Sequence, residues 1–223
     1  MKPGEILDIY QRKGAVWLFD YSGDQAAPHA ELTSGLCSDG YFNSAKVLCD
    51  PYAVEVLARQ LMLRLHARGI RNVDVVVGSA YAAITLSFEL ARLMGASHGF
   101  TEKALDENDP TKSVMTWKRL TFREGTEILQ CEELITTFKT TLEVREAIRS
   151  GNDYPVEFIP VVATAIWRPE NLQTTLDREF DVEALVAKEV RTWKPEDCPL
   201  CKQGSPRMRP KQNWAKLTGQ TTT

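Results

Sequence analysis

The chain has 223 residues, enough for one decorated domain or at most two small ones at roughly 100–200 residues each. Hydrophobic residues make up 43% and charged residues 26%, which excludes wholesale disorder. The 27 Lys and Arg against 30 Asp and Glu leave a net charge of −3, which argues against a nucleic-acid binder that must neutralise phosphates. No run reaches the ~18 apolar residues of a membrane span. Residues 1–14 lack a secretory apolar core, so the five cysteines are expected to be reduced thiols in the cytoplasm.

In chain order, Ile6 to Lys13 has the spacing of a short amphipathic helix, and Ala15 to Asp20 reads as a strand. Residues 21–40 are polar and turn-rich, with a hairpin or exposed loop around Leu32 to Asn43 that carries Tyr41 and Phe42. Asp50-Pro51 is a strong helix start, and Val54, Leu57, Leu61 and Leu65 continue one apolar stripe to a stop at Gly69. Val73 to Val77 predicts a buried strand that ends in Gly78-Ser79-Ala80-Tyr81, and a helix is expected from about Ala82 to Met94. His98 to Lys103 predicts another strand. Ala104 to Met115, with Asp106, Glu107, Asn108, Asp109 and Pro110 together, predicts a long loop of the kind that serves as a lid. A strand at Thr126 to Cys131, a helix at Thr140 to Arg149 and a long strand at Val156 to Trp167 follow. This alternation indicates an α/β fold with a central, mainly parallel sheet flanked by helices. Val182 to Val190 predicts a last helix, and Lys194 to Thr223 a tail that wraps the surface, packing its tryptophans on the domain.

The segment Cys131-Glu132-Glu133-Leu134-Ile135-Thr136-Thr137-Phe138-Lys139-Thr140-Thr141 carries the most chemistry. It runs from a strand end through two acids and a hydroxyl-rich loop into a helix start. Free N–H groups and the positive end of a helix dipole there suit a phosphate. The two carboxylates suit ribose hydroxyls or a hydrated divalent cation. The plainer reading makes Glu132 and Glu133 solvated charges and the threonines helix caps.

This segment resembles the phosphoribosyl-diphosphate (PRPP) motif of the type I phosphoribosyltransferases, in which two acids precede Ile/Val-Thr-Thr-Gly-Gly-Thr/Ser. The orotate phosphoribosyltransferases are the most similar branch. The resemblance spans roughly Glu31 to Arg168. Leu32-Thr33-Ser34-Gly35 with Ser38 and Tyr41-Phe42-Asn43 resembles the base-binding segment, and Val76 to Tyr81 the strand and pyrophosphate loop. Phe100-Thr101-Glu102-Lys103 resembles the start of the mobile catalytic loop. Arg168 falls where that branch places an arginine facing the orotate carboxylate.

The resemblance implies a type I phosphoribosyltransferase fold over residues 1–190, with a small hood from about 1–45 and 168–190, and a C-terminal tail at 191–223. It implies transfer of ribose 5-phosphate from PRPP to a pyrimidine-type base with release of pyrophosphate, Mg²⁺ accompanying PRPP, and a homodimer. Glu132, Glu133 and Lys103 would be catalytic. Ser79, Ala80, Tyr81, Thr136, Thr137, Lys139, Thr140 and Thr141 would bind PRPP, and Tyr41, Phe42 and Arg168 the base.

Phe138-Lys139 stands where the family has Gly-Gly, and a Phe ring there is expected to intrude on the phosphate and push the loop onto another path. Ala82 and Ala83 are neutral where the pyrophosphate loop usually carries a base, and Asp106, Glu107 and Asp109 follow Lys103 where the catalytic loop is usually basic. These departures motivate a second reading, a non-catalytic paralogue that binds a nucleotide or phosphorylated metabolite in a regulatory or structural role. Cys198-Pro199-Leu200-Cys201 has zinc-knuckle spacing but no second pair, so no metal is assigned and two free thiols are expected, against a site shared across a dimer. Cys37, Cys49 and Cys131 are isolated in sequence, and His29, His66 and His98 show no ligand spacing.

Overall fold

The computed structural model describes residues 1–106, 109–170 and 181–218. Helix α1 (Pro3–Arg12) buries Ile6 and Tyr10 and leads into β1 (Val16–Leu18). Strands β2 (His29–Glu31), β3 (Cys37–Ser38) and β4 (Gly40–Phe42) follow, with β2 and β3 forming the hairpin and β4 pairing antiparallel with β1. A short helix that the periodicity does not reveal, α2 (Ala45–Leu48), precedes α3 (Pro51–Ala67). Asp50 caps α3 as expected, accepting from the Tyr52 N–H at 3.0 Å, and Gly69 ends it with φ +84°.

Next come β5 (Val75–Gly78), α4 (Ile84–Met94) and β6 (Ser97–Phe100), with Gly95 in the left-handed C-terminal cap of α4. The segment expected as one strand from His98 to Lys103 divides at Thr101. Its second part, β7 (Glu102–Leu105), pairs with β8 (Ser113–Thr116) in a hairpin where a plain loop was expected; Glu107 and Asn108 lie outside the described residues. Strand β9 (Thr126–Ile135) runs four residues further than its apolar run predicts, α5 (Lys139–Gly151) follows, and β10 (Val156–Trp167) has its expected bounds.

One expectation for the C-terminal part is overturned and another is met only in part. Residues 182–190 form no helix: β11 (Asp181–Ala187) is an edge strand, its Val182, Ala184 and Val186 alternating with Glu183 and Leu185 beside β10. The tail does pack its tryptophans on the domain, Trp193 against the Phe19 cluster and Trp214 beside Tyr41, but through regular elements rather than as an irregular wrap. Strand β12 (Thr192–Trp193), helix α6 (Pro199–Lys202), strand β13 (Arg207–Met208) and helix α7 (Pro210–Thr218) are built into the fold, and residues 219–223 lie outside the described residues. The order β12-β3-β2-β13 makes a second, four-stranded sheet from chain segments about as far apart as the sequence allows. It brings His29 and Cys37, isolated in sequence, beside Cys198 and Cys201.

The central sheet is parallel throughout, in the order β11-β10-β9-β5-β6. Its main core lies under α1, α3 and α4, where Leu57, Leu61, Leu65, Leu86 and Leu90 meet Val76, Leu129 and Cys131. On the other face Val144 and Ile148 of α5 cover Val75, Val77 and Ile128, with Trp117 and Phe122 closing the edge. Burial on both faces explains why these strands read as continuous apolar runs.

Gly78 sets the distance between β5 and α4. A Cβ there would sit 2.3 Å from Ser87 Oγ and 3.1 Å from the Ala83 carbonyl. Gly78→Ala is expected to destabilise the fold by about 1–3 kcal/mol, the usual range for overpacking. Urea unfolding measures it; unchanged stability would mean that α4 shifts freely away from the sheet.

Candidate active site

The chain leaves β5 toward β6 on one side and leaves β9 toward β10 on the other. In an open parallel sheet, a crevice forms outside the carboxyl ends of two strands at such a point. Ser79, Ala80 and Tyr81 follow β5, Glu132 to Ile135 end β9, and Thr136 to Thr140 lead into α5, so the two loops face each other across this crevice. The Ala80–Tyr81 peptide is cis.

Alternation along β9 separates the two acids. Glu132 shares the α5 face with Gln130 and is only 2% exposed. Its carboxylate accepts from Ser79 Oγ at 2.5 Å and from Gln130 Nε2 at 2.8 Å. Gln130 also donates to the Thr141 carbonyl at 3.2 Å and accepts from Arg145 Nε at 3.1 Å. Burial pushes the Glu132 carboxyl up to about 8, against the lowering effect of the Ser79 hydrogen bond. Glu133 turns to the opposite face. Burial raises its carboxyl too, while the backbone N–H of Glu133 and the charge of Lys103 pull it down. Lys103 Nζ also sits 5.9 Å from the centre of the exposed Tyr81 ring. Lys103 is thus brought near both Tyr81 and Glu133.

Phe138 overturns the expectation of an obstructed loop. It holds φ 62° and ψ 0°, the left-handed conformation for which glycine is usually selected, and its ring is buried rather than projecting into solvent. The ring is 6% exposed and packs with Ile135 and Val162, 6.4 Å from the Trp167 ring centre. Burial of a large aromatic offsets the roughly 1–2 kcal/mol that this backbone costs a non-glycine residue. The loop therefore keeps a glycine-like path, and the N–H groups of the first turn of α5 lack intrahelical acceptors as in any helix start.

Thr136 is half-buried, and Thr137 and Thr140 are exposed on this loop. Thr141 is not: it is 1% exposed on the face of α5 that carries Val144 and Ile148, so its side chain belongs to the packing rather than to the cradle. Lys139 extends into solvent, 3.7 Å from Glu143. Together with Lys103, Met115 and Thr140 it lines a cleft of about 230 Å³ under the β7–β8 hairpin.

The aromatic pair of β4 divides by the same alternation. Phe42 is 4% exposed and packs edge-on against Tyr10, so it is a core residue and its assignment to the base site is corrected. Tyr41 is half-exposed. Arg168, whose N–H bonds the Ile135 carbonyl at 2.9 Å, lies close enough for its charge to act on the Tyr41 hydroxyl. From α7, Trp214 stands 6.1 Å from Tyr41, with Lys46 Nζ 4.7 Å above the indole.

Gln130, Arg145 and the place of Trp214 beside Tyr41 are the parts that sequence reasoning missed. A glutamine inside an apolar strand, and an arginine on the helix stripe of Val144 and Ile148, were available signals for the first two.

The chain is 36% identical over 211 residues to the orotate phosphoribosyltransferase of Pelotomaculum thermopropionicum, covering 94% of this chain and 97% of that protein. It is 32% identical to that of Desulforamulus reducens, with the same coverage of each. No protein-family profile matches the chain. Among solved structures it is similar to orotate phosphoribosyltransferase from Aeropyrum pernix, with a TM-score of 0.56 and 20% identity over 82% of this chain and 93% of that one. The Mycobacterium tuberculosis orotate phosphoribosyltransferase in complex with inorganic phosphate gives a TM-score of 0.52 at 16% identity, covering 83% and 95%. At these identities the solved structures speak to the fold alone.

A carboxyl whose pKa is higher in the fold than in the unfolded chain contributes most below the unfolded value. That contribution is lost as pH rises from about 4.5 through about 8. Wild type is therefore expected to lose stability relative to Glu132→Gln between about pH 5 and pH 8. Thermal unfolding of both without ligand, across that range, checks this; a constant difference would remove Glu132 as the cause. Phe138→Gly loses the buried ring but relieves the backbone, with a net destabilisation of about 2–4 kcal/mol. Denaturant titration measures it, and a more stable variant would show that the strain outweighs the packing.

Proposed function

We propose the function of this chain from its family: it belongs to the orotate phosphoribosyltransferases, as 36% identity over 94% of its length requires. It transfers the 5-phosphoribosyl group of PRPP to a nitrogen of orotate and releases pyrophosphate. The observation that carries this reading is the convergence of the acid pair, the hydroxyl-rich helix start and Lys103 at one crevice. Among the departures that motivated the non-catalytic alternative, Phe138 was the obstruction of the phosphate loop, and its buried ring and glycine-like backbone remove that one.

In this reading the chain acts mainly by positioning and by charge. The 5-phosphate sits on the N-terminus of α5 among Thr136, Thr137, Lys139 and Thr140. Glu133 accepts from the ribose hydroxyls. Glu132, already bonded to Ser79, sets the loop of Ser79, Ala80 and Tyr81 against the diphosphate. Lys103 neutralises the pyrophosphate as it departs, and Lys139 adds a second positive charge to the same cleft. Arg168 pairs with the orotate carboxylate, while the Tyr41 ring lies against the base.

Mg²⁺ fits this donor set. Glu133 offers a carboxylate at the crevice whose charge Lys103 partly offsets. Glu133 and the diphosphate oxygens would hold the ion, which masks the charge of the leaving group. A homodimer is supported by a groove of about 840 Å³ between α3 and α4, lined by Tyr52, Val54, Ile84, Phe88 and Phe100, in which Tyr52 is 82% exposed and Phe88 55%. Cytoplasmic residence agrees with five free cysteines. No helix among the described residues is long and apolar enough to cross a membrane.

Glu133→Ala is expected to raise the KM for PRPP about 10- to 100-fold at fixed Mg²⁺, as loss of a charged hydrogen bond does. Arg168→Met should instead raise the KM for orotate and leave PRPP affinity near wild type. Steady-state kinetics with both substrates varied separates the two effects. An unchanged PRPP KM in folded Glu133→Ala would remove that carboxylate from the ribose.

A further inference from the structure

Outside the crevice, the second sheet gathers an imidazole and three thiols. His29 lies on β2 and Cys37 on β3, the two inner strands of that sheet. Cys198 is the N-cap of α6, and Cys201 stands three residues later in its first turn, so both thiols face the hairpin. The four candidate ligand atoms all lie within 4.8 Å of one another. His29 Nε2 is 3.7 Å from Cys198 Sγ and 3.5 Å from Cys201 Sγ, and Cys37 Sγ is 3.7 Å from Cys201 Sγ. A tetrahedral zinc with bonds of about 2.3 Å to sulfur and 2.0–2.1 Å to nitrogen needs edges of about 3.8 Å between sulfurs and about 3.6 Å between nitrogen and sulfur. Three of the six separations match those edges, and the remaining three lie within 4.8 Å.

The surroundings fix the imidazole for ligation. Ser205 Oγ donates to the Ala27 carbonyl at 2.5 Å and accepts from His29 Nδ1–H at 2.7 Å. With its proton on Nδ1, the ring presents the lone pair of Nε2 to the thiols, the outer-shell arrangement that orients metal-bound histidines. Phe19 and Leu200, with Trp17 and Trp193, form an apolar wall around the cluster. Three thiolates and a divalent ion leave one negative charge, and Arg207 is near enough for its positive charge to act on both His29 and Cys201.

We propose that His29 Nε2 and the Sγ atoms of Cys37, Cys198 and Cys201 form a closed, structural zinc site. Four protein ligands leave no open position for catalysis. All four come from one chain, so no site shared across a dimer is needed, and the Cys198–Cys201 pair finds its second half in a hairpin more than 150 residues upstream. The metal fastens the C-terminal segment to the N-terminal hairpin. That segment continues into α7, whose Trp214 meets Tyr41, so the clip also steadies the base side of the crevice.

The test uses the full, untagged chain. Wild type purified from zinc-replete cells is expected to hold one zinc per chain by elemental analysis after dialysis. Cobalt substitution should give intense tetrahedral d–d bands and thiolate-to-cobalt charge transfer. Cys198→Ser and Cys37→Ser should lose the metal, Cys49→Ser should keep it, and His29→Cys should keep it with an altered cobalt spectrum. Chelation should lower the unfolding temperature of wild type and leave a variant already without metal unchanged. If the ligand variants do not fold, metal content, the cobalt spectrum and chelation of wild type decide. A metal-free wild type that takes no cobalt spectrum, iron in place of zinc, a disulfide among these cysteines, or zinc retained by folded Cys198→Ser would each overturn the site.

Discussion

The crevice is organised around one buried carboxylate. Glu132 is removed from water, which pushes its carboxyl up to about 8, and its oxygens still need hydrogen-bond partners because a buried polar group left unpaired costs free energy. Ser79 reaches it from the end of β5, and Gln130 from its own strand. Gln130 is held in turn by Arg145, whose guanidinium lies 4.8 Å from the Phe158 ring. The loop after β5, strand β9 and helix α5 are therefore fixed relative to each other by a polar chain rather than by apolar packing alone. Apolar contacts tolerate small sliding, whereas hydrogen bonds of fixed length do not. The crevice needs that rigidity, since its two loops must present groups to the same ligand.

Phe138 illustrates why a motif should be read as a conformation rather than as letters. The family pattern of paired glycines encodes a positive φ and an inward-facing backbone. A phenylalanine reaches the same backbone at a steric cost and recovers it through a ring lodged against Ile135 and Val162. The substitution moves the side chain behind the loop, and the face turned to a phosphate remains backbone and hydroxyl. Lys139, beside it, then adds charge in a position where a side chain obstructs nothing, because it extends into solvent.

The parts of this architecture that rest on local physics were legible in the sequence. The Asp50-Pro51 start of α3, the Gly95 end of α4 and the bounds of β10 follow from capping and from apolar runs, and they stand where expected. The acid pair and the threonine loop were visible for the same reason, because strand end, loop and helix start are contiguous. What failed was either two-sided or distant. Phe42 and Thr141 look like their neighbours in sequence, and only the pleat of β4 and the turn of α5 turn them inward. Residues 182–190 carry enough spacing ambiguity to read as a helix, and only the open edge of β10 makes a strand of them.

The second sheet was illegible for a stronger reason. Its strands β3, β12 and β13 are two residues long and β2 is three, so none has a periodicity to detect. Such strands make few ladder hydrogen bonds and cannot hold a sheet together on their own. Joining 29–38 to 192–208 also closes a loop of most of the chain, which carries an entropic cost that two-residue pairings do not offset. Among the described residues the apolar cluster beside this sheet is small, with Phe19 and Leu200 at its centre and Trp17, Ala27 and Trp193 partly buried against it. Polar links such as Arg209 to Glu31 and Gln203 to the Gln25 carbonyl also cross this junction, and the cysteines and His29 lie where β2, β3 and α6 meet. Because β4 follows β3 directly and α7 follows β13, whatever holds these residues together also sets the distance between Tyr41 and Trp214. On the proposed reading, in which Tyr41 lies against the base, the geometry of that side of the crevice is thus set from the cluster of His29 and the cysteines.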